Sequence, residues 1–376
     1  MTTERPEIII VGGSLAGLTL ALACSSRGVP VRVIERTVRR AHGGDNLSVS
    51  LAAVAATVGC DPRNEPKLPV VPAYRDRHLT SWPALYSWLR DRAGEASGIT
   101  LEENRTVASV SSNDEQATLV FEDGTTASAD IVIGADGYHS TVRRAIAPEL
   151  PLARYAGYIV WRGLIEERAL TKPVPWPSNG GLFIEYEQGF RLVAAILPGP
   201  DGSLEEGKRQ VTFAWFESGR QQVLRETNCL TDDGHLIGTL GAASISAELR
   251  EELAALVPML WPETWAEAVS YGVKTPGSMR GAPIAEYRPD RLVSGRLAIM
   301  GDAAHVLSPM TGSGYATGVE DAALLAGLLS AWDRSEPLTA LLRRYETARL
   351  PYIRALVSHS RNLSAEYLQY ASGYGM

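Results

Sequence analysis

The sequence predicts an α/β fold, in which a parallel sheet carries helices and a second, mostly antiparallel sheet is inserted ahead of C-terminal helices. Apolar, β-branched runs stop at glycines near residues 11, 133 and 300, and a helix-period segment follows each stop, as in a parallel sheet. Between the second and third runs, strand-like segments joined by turns replace this alternation, which indicates antiparallel pairing.

The first element is a strand–turn–helix–strand unit at 7–36. The run at 7–11 breaks into GGSLAG and a small-residue helix, and a second β-branched run ends on Glu35. Gly12 allows the tight turn, Gly17 allows close helix packing, and Ser14 replaces the usual second glycine. A pyrophosphate lies at such a helix N-terminus, and an acid about 20 residues further on binds a ribose. The unit predicts a Rossmann-like dinucleotide site, which fits NAD and FAD equally well.

The next segment alternates helices and strands up to about residue 150. Arg36 is expected near an adenine or phosphate, whereas Arg39 and Arg40 are expected to be solvated. One strand ends at Gly134 and presents Asp136 at its carboxyl end, where open α/β sheets bind ligands. The helices are expected at 50–58 and 82–92, a proline-rich loop at 61–72, and strands at 100–103, 107–111, 117–122 and 127–133.

The inserted sheet is expected within 155–275, and the first fold then resumes. A strand at 297–300 leads through Asp302 and a glycine-rich loop into a helix at 314–332, and an amphipathic helix interrupted at Pro351 extends to about 370. The inserted strands are expected at 158–165, 181–187, 190–197 and 210–216, with helices at 247–256 and 265–269. The predicted domains are a cofactor-binding domain at 1–154 and 276–335, a substrate domain at 155–275, and a C-terminal helical segment at 336–376.

Composition excludes several classes of function. The net charge is −7 and the basic residues are scattered, so neither nucleic acid nor an anionic membrane is an expected partner. Cys24, Cys60 and Cys229 are isolated, which predicts no metal site and fits a reducing compartment. Apolar runs are too short to span a bilayer, and the first strand leaves no room for a signal peptide, so a cytoplasmic location is expected.

Three motifs follow in order: GGSLAG at 12–17, GADGYHSTVR at 134–143 and GDAAHVLSPMTGSGYATGVEDA at 301–322. This set resembles the single-component (class A) FAD-dependent aromatic hydroxylases of the para-hydroxybenzoate hydroxylase type, whose FAD domain is glutathione-reductase-like. The serine in GGSLAG, TSW at 80–82 and YAGYIVWRG at 155–163 are most similar to the 2,6-dihydroxypyridine 3-hydroxylase branch.

The resemblance implies an FAD site. It places the pyrophosphate on the turn after the first strand, the ribose on Glu35, the ribityl chain on Asp302, and the positive end of the helix near Gly314 at the flavin ring. Asp136 is implied to serve both FAD and NAD(P)H. The implied FAD residues are Gly12, Gly13, Ser14, Leu15, Ala16, Gly17, Glu35, Arg36, Val107, Asp136, Asp302, Pro309, Gly312, Ser313, Gly314, Tyr315 and Ala316. Ala316 and Ser81 depart from the asparagine and arginine usual in the family.

The implied reaction is hydroxylation of an electron-rich aromatic or N-heteroaromatic small molecule. NADH or NADPH reduces FAD, and O2 then gives a C4a-hydroperoxide that transfers oxygen to the ring. Because only one dinucleotide fold is present, the nicotinamide cofactor is expected to bind transiently. The protein is expected to be a monomer or a homodimer. The candidate catalytic residues are His305, Arg162 and Tyr158.

Each candidate also has a structural interpretation. His305 is also explained as a structural hydrogen-bonding residue of its loop, and Arg162 as a contact between domains. Tyr158 and Arg162 share one face of a strand, and Asp321 is expected to stabilise its helix or loop. The alternative functions are another FAD-dependent oxidoreductase, such as a reductase or halogenase, and a non-catalytic binder of small molecules.

Overall fold

The computed structural model describes residues 6–38, 46–177 and 181–375; Arg39 and Arg40 therefore lie outside the described residues. The strands are β1 (Ile8–Val11), β2 (Val31–Ile34), β3 (Asn46–Val49), β4 (Val71–Pro72), β5 (His78–Ser81), β6 (Ile99–Glu102), β7 (Val107–Ser112), β8 (Ala117–Phe121), β9 (Thr126–Ala129), β10 (Ile131–Gly134), β11 (Arg154–Glu166), β12 (Leu182–Glu187), β13 (Phe190–Leu197), β14 (Gln210–Ser218), β15 (Met279–Glu286), β16 (Val293–Ser294) and β17 (Leu297–Ile299). The helices are α1 (Leu15–Ser25), α2 (Leu51–Val58), α3 (Trp82–Glu95), α4 (Thr141–Ile146), α5 (Gln221–Glu226), α6 (Ala247–Leu260), α7 (Glu263–Lys274), α8 (Gly314–Ser330) and α9 (Leu338–Ser372).

The predicted parallel sheet is present, with strand order β16-β17-β10-β1-β2-β6. Strand β1 pairs in parallel with both β10 and β2, and β17 extends the parallel pairing from β10. All four residues of β1 and of β10 are buried, as expected of strands covered on both faces. The carboxyl ends of β1, β10 and β17 therefore meet at one edge of the sheet, and the three sequence motifs begin there.

The inserted sheet is antiparallel, with strand order β12-β13-β14-β11-β15. Its last strand, β15, pairs with β11 although it lies beyond residue 275, where the substrate domain was expected to end. Strands β7, β8 and β9 form a small antiparallel sheet, and β3, β5 and β4 form another. The division of the chain into domains stays a prediction, but the antiparallel sheet itself extends to Glu286.

Two sequence expectations about individual elements are wrong. The strand expected at 127–133 is two strands in different sheets, β9 and β10, separated at Asp130, whose Oδ2 accepts from the Glu7 backbone N–H at 2.8 Å. The last helix, α9, is not interrupted at Pro351. Its 35 residues form one continuous helix that contains the proline. Buried Tyr345 and Ile353 lie on either side of the proline, so the apolar stripe of α9 stays packed at the cost of one backbone hydrogen bond.

The two faces of β11 belong to two different cores. Ile159 and Trp161 pack into the core of the inserted domain, whereas Tyr158 and Val160 pack towards α9 and the loop at 309–311. This alternation follows from the period-2 geometry of a strand and places Tyr158 between the two sheets. Among the described helices, none is both long and apolar enough to cross a bilayer.

Candidate active site

The turn between β1 and α1 requires glycine at two positions. Gly12 has a φ of +105°, and a Cβ there would lie 2.5 Å from the Ala135 carbonyl oxygen. A Cβ on Gly17 would lie only 1.8 Å from the Gly12 carbonyl oxygen. The helix therefore starts directly against the strand end, which leaves the first N–H groups of α1 directed away from the strand for an anion.

Glu35 lies beside this turn. Its Oε2 accepts from the Gly13 N–H at 2.7 Å, and its Oε1 accepts from the Thr37 N–H at 3.0 Å. Ser14 is the N-cap of α1 but makes no side-chain capping hydrogen bond. Val107 opens β7 two residues after Arg105, whose N–H donates to the Glu35 carbonyl oxygen at 3.0 Å. The residues implied for pyrophosphate, ribose and adenine are thus neighbours.

Asp136 follows β10 and binds its own loop. Its carboxylate accepts from the Ser140 hydroxyl at 2.5 Å and from the Thr141 N–H at 2.7 Å, at the start of α4. Burial raises the pKa of Asp136, while these hydrogen bonds oppose the rise. A direct contact of Asp136 with FAD or NAD(P)H stays a prediction, because the carboxylate is used to hold the GADG loop.

Arg143 joins the second motif to the third. The buried guanidinium donates to the carbonyl oxygens of Asp302 at 3.3 Å and Ala303 at 3.0 Å, and also to that of Tyr138. Burial lowers the pKa of Arg143, and nearby Asp136 and Asp302 oppose that effect. Sequence analysis gave Arg143 no role, although it lies within the motif it stabilises.

Asp302 lies in the 3-10 turn Gly301–Ala303, directly after β17. Its side chain has no hydrogen-bond partner among the described residues and is partly exposed. Burial raises the pKa of Asp302, and His305, Arg143 and Arg162 counteract the rise. Arg162 comes from β11, so the inserted sheet brings a positive charge to the third motif.

His305 belongs to a buried hydrogen-bonded cluster behind this turn. Its Nε2 lies 2.8 Å from Asp321 Oδ2, and Arg349 Nε donates to Asp321 Oδ1 at 2.7 Å. The Gly301 N–H also donates to Asp321, at 3.1 Å. Burial alone would raise the pKa of Asp321, but His305 and Arg349 outweigh it and the net shift is downward. This geometry supports the turn that carries Asp302, and a catalytic role for His305 stays a prediction.

The loop before α8 and the first turn of that helix contact two other parts of the chain. Gly312 has a φ of +58°, and its carbonyl accepts from Arg77 Nη1 at 3.1 Å. Tyr315 Oη lies 3.2 Å from Thr19 Oγ1 on α1. Helix α8 begins at Gly314, as predicted, after Ser313 at its N-cap. Pro309 lies in the 3-10 turn before them, and Ala316 in the first turn of α8.

Ser81, one of the two departures from the family pattern, has a structural role. It is buried and is the N-cap of α3, where its hydroxyl accepts from the Ala84 N–H at 3.2 Å. An N-cap of this kind typically stabilises a helix by about 1 kcal/mol. The serine therefore secures the start of α3.

An aromatic cluster of Tyr158, Phe216 and Tyr367 fills the space between the inserted sheet and α9. The ring centroids of Tyr158 and Phe216 are 5.9 Å apart, and those of Tyr158 and Tyr367 are 5.1 Å apart. Met310, from the loop before α8, packs against the same cluster. The loop implied to bind FAD thus contacts an aromatic cluster of the inserted domain.

A chain of hydrogen bonds, the hydroxyl chain, leaves this cluster. Tyr158 Oη lies 2.7 Å from Ser308 Oγ and 3.2 Å from Ser364 Oγ. Ser364 Oγ donates to Glu286 Oε1 at 3.1 Å, and Ser360 Oγ donates to the same oxygen at 2.5 Å. Burial raises the pKa of Glu286, and the two serines oppose the rise. Sequence analysis missed Glu286, Ser360 and Ser364, of which the serines are recognisable only as an i, i+4 pair on α9.

The matches to known proteins agree with this geometry. Residues 266–360 match the "FAD binding domain" model, and residues 155–270 match the "FAD binding domain-like" model. A 3-amino-4-hydroxybenzoate 2-monooxygenase of Streptomyces cremeus is 29% identical over 392 residues, covering 98% of this chain and 89% of the relative. The chain is an FAD-dependent monooxygenase related to the aromatic hydroxylases.

Other relatives of this monooxygenase agree. The 2,6-dihydroxypyridine 3-monooxygenase of Paenarthrobacter nicotinovorans is 25% identical over 99% of this chain and 94% of the relative. The solved 2,6-dihydroxypyridine-3-hydroxylase from Arthrobacter nicotinovorans has a TM-score of 0.77 at 22% identity, covering 97% of this chain and 93% of that one. Klebsiella pneumoniae HpxO with FAD and uric acid has a TM-score of 0.71 at 23% identity, covering 98% and 93%. The predicted fold is thereby confirmed.

The described residues of the monooxygenase contain no group of three or more His, Cys, Asp or Glu side chains arranged to hold a metal ion. The residues present do fit FAD. The glycines at 12 and 17 keep the start of α1 clear of side chains, Ser14 has a hydroxyl not used for capping, and Asp302 has a carboxylate without a partner among the described residues. The assignment of individual residues to parts of the cofactor stays a prediction.

Proposed function

We propose that this monooxygenase hydroxylates an electron-rich aromatic or N-heteroaromatic ring that carries an ionisable hydroxyl group, with NADH or NADPH and O2 as co-substrates. The relatives are named for aminohydroxybenzoate, dihydroxypyridine, methylsalicylate and urate, each a hydroxylated or oxygenated ring. A cytoplasmic location and a monomeric or homodimeric state belong to the same proposal.

One observation carries the proposal: the Tyr158–Ser308 hydrogen bond of 2.7 Å. It joins an aromatic surface of the inserted domain to the loop that follows Asp302. We expect an aromatic substrate bound beside this junction to lie next to the predicted flavin position.

FAD, when bound, supplies the electron transfer and the oxygen activation that no side chain can provide. Ser14 and Glu35 would hold its adenosine diphosphate part, and Asp302 would hold its ribityl chain. The chain's own residues then have three tasks, namely orienting the ring, excluding water and removing a proton from the substrate hydroxyl. Tyr158, Phe216 and Tyr367 are each at most 3% exposed, so water is excluded from their side of the site.

The hydroxyl chain removes the proton. Tyr158 Oη accepts the substrate proton as it passes its own proton to Ser364 Oγ, which donates to Glu286 Oε1. Burial raises the pKa of Tyr158 to about 12, so the phenol stays protonated at neutral pH and acts as a relay rather than as a base. Glu286 is the base at the end of the chain, since burial raises its pKa towards the range in which a carboxylate accepts a proton effectively.

Anaerobic stopped-flow spectroscopy of the purified holoenzyme with NADH or NADPH tests the proposal, with and without a panel of phenols and hydroxypyridines. We expect one substrate class to accelerate flavin reduction and, after mixing with O2, to yield hydroxylated product. The Tyr158→Phe variant should still be reduced but should form product at least 10-fold more slowly, because the relay is broken. A protein that binds FAD but is reduced by neither nicotinamide would refute the proposal.

A further inference from the structure

A series of tyrosines connects the aromatic cluster of the candidate site with the protein surface. The ring centroid of Tyr158 lies 5.1 Å from that of Tyr367 on α9. Further along, the Tyr370 ring lies 5.4 Å from Tyr186 and 5.3 Å from Tyr374. These spacings are those of aromatic rings in direct contact. We call this series the tyrosine chain; its members are Tyr158, Tyr367, Tyr370, Tyr186 and Tyr374.

The turn at Gly189 joins the inner and outer parts of the tyrosine chain. Tyr367 and Tyr370 lie three positions apart on α9, so they are neighbours on one face of the helix. Tyr367 Oη donates to the Gly189 carbonyl oxygen at 3.3 Å, and Tyr370 Oη accepts from the Gly189 N–H at 3.4 Å. Both hydroxyls therefore contact the same residue, and the chain continues to the end of α9.

Exposure to solvent rises along the tyrosine chain. Tyr158 is fully buried and Tyr367 is 3% exposed, whereas Tyr186 is 47% and Tyr374 is 57% exposed. The Phe216 ring lies 5.9 Å from each of the two buried tyrosines and covers their contact. The chain thus begins at the hydroxyl chain of the candidate site and ends in solvent.

Tyrosine adds a chemical property to this packing. A phenol gives up an electron far more readily than a phenyl ring, provided that its proton can leave. At Tyr158 an acceptor is in place, because Ser364 connects the hydroxyl with the Glu286 carboxylate. At the outer end, water accepts the proton. Rings in contact also allow electron transfer, which weakens steeply with distance.

An oxidisable side chain lies at the inner end of the tyrosine chain. Met310, from the loop implied to bind FAD, packs against the cluster that contains Tyr158 and Tyr367. Oxidation would convert this methionine into a polar sulfoxide and disturb the packing of the loop. Oxygen activation that is not coupled to a substrate releases peroxide, from which radicals of the hydroxyl class form. Such an oxidant would arise beside Met310.

We propose that the tyrosine chain carries oxidising equivalents from the active site to the surface when oxygen is activated without substrate. Tyr158 gives an electron and a proton to a hydroxyl-class radical, which becomes water. An electron from an exposed phenol of the chain passes inward to Tyr158, and the hydroxyl chain returns the proton. The exposed phenol releases its own proton to water and becomes a neutral phenoxyl radical, to which a small-molecule thiol returns a hydrogen atom. This inference rests on the proposed function, since it requires oxygen activation beside Tyr158.

Blue-light illumination of the holoenzyme tests the inference without turnover, because an excited flavin takes one electron from a nearby phenol. The experiment is run under nitrogen with a cobalt(III) complex as terminal electron acceptor and a nitroso spin trap, whose tyrosine adducts are located by peptide mass spectrometry. Tyr367→Phe and Tyr370→Phe keep the rings but interrupt the chain at two places. Tyr352→Phe is the matched control, since Tyr352 lies on α9 and is 45% exposed but contacts Arg349.

We expect more adducts at Tyr374 or Tyr186 than at Tyr74, although Tyr74 is 72% exposed. Both chain variants should lose the adducts at the two outer tyrosines, whereas Tyr352→Phe should label as wild type does. The inference is overturned if adducts follow exposure, if they are absent from the outer tyrosines, or if either chain variant labels as wild type does. Labelling at the chain end in a protein that hydroxylates no ring would support the tyrosine chain and count against the proposed function alone.

Discussion

Replacing Glu286 by glutamine tests the hydroxyl chain at its end. Glutamine keeps the Oε1 that accepts from Ser360 at 2.5 Å and from Ser364 at 3.1 Å, so the packing of α9 against β15 should survive. It cannot accept a proton. The variant therefore removes the base while retaining the hydrogen bonds that position Tyr158.

The expected size of the effect follows from the substrate. A phenol with an ordinary pKa of about 10 is ionised in roughly one molecule in a thousand at pH 7. Without Glu286 the bound hydroxyl must ionise unaided, so kcat/KM should fall by up to about 1000-fold at pH 7. The deficit in kcat/KM should shrink about tenfold per pH unit towards pH 10, because the substrate hydroxyl ionises unaided. The kcat/KM of wild type should instead become independent of pH once Glu286 is ionised.

The assay is substrate-dependent oxygen uptake between pH 6 and 9, with product quantified by chromatography to separate hydroxylation from uncoupled oxidation. Glu149→Gln is the matched control, because it neutralises an exposed glutamate paired with Arg291 at 2.8 Å. A Glu286→Gln profile parallel to that of wild type would refute the relay.

The same variant makes a second prediction about stability. The pKa of Glu286 is raised in the folded state, so its contribution to stability is fully present below the ordinary value of 4.5 and is lost as pH rises through the raised value. Glu286→Gln should therefore match wild type in mild acid and exceed it at pH 8. Thermal unfolding at both pH values measures the difference. A variant that is less stable than wild type at pH 8 would contradict the inferred cost of burying the ionised Glu286 carboxylate.

Two further predictions concern the third motif. Asp302→Ala should lower FAD retention, since it removes a carboxylate that has no partner among the described residues. The ratio of flavin to protein absorbance after desalting measures the retention. Full FAD occupancy in the variant would exclude Asp302 as a ligand. Asp321→Asn should cost about 1–3 kcal/mol in urea unfolding at pH 7, because it removes the buried carboxylate that His305 and Arg349 share, while Arg349 keeps its ion pair with Glu320. The pKa of Asp321 is lowered, so this contribution is present above its ordinary value of 3.8 and is lost as pH falls through the lowered value; an equal difference in strong acid would contradict the assignment.

Local sequence was sufficient for the nucleotide-binding part of the fold. Apolar runs and glycine positions determine β1, α1 and the turn at Gly12, because these features depend on residues close together in the chain. The start of α8 at Gly314 was likewise predictable. Long-range pairing was not, which is why β9 and β10 were merged: β9 pairs with β8 and β10 with β1, and Asp130 between them bonds to Glu7.

The residues of the candidate site likewise fall into those that the local sequence predicts and those that it does not. Glu35 and Asp302 stand out because each follows a strand within a recognisable motif. Glu286 does not, since a glutamate in a strand is expected to be solvated until its neighbours are known. Its burial depends on Ser360 and Ser364, which are distant in sequence, so periodicity carries no information about it.

The origin of the hydroxyl chain in three separate parts of the polypeptide has a consequence for biosynthesis. Tyr158 comes from the inserted sheet, Ser308 from the loop after β17, and Ser360 and Ser364 from α9, the last described helix. During translation the nucleotide turn and both sheets leave the ribosome before α9 does. A nascent chain can thus complete the segments proposed to bind the cofactor before the proposed proton-transfer path exists, so that path must await the folding of α9 against the inserted sheet.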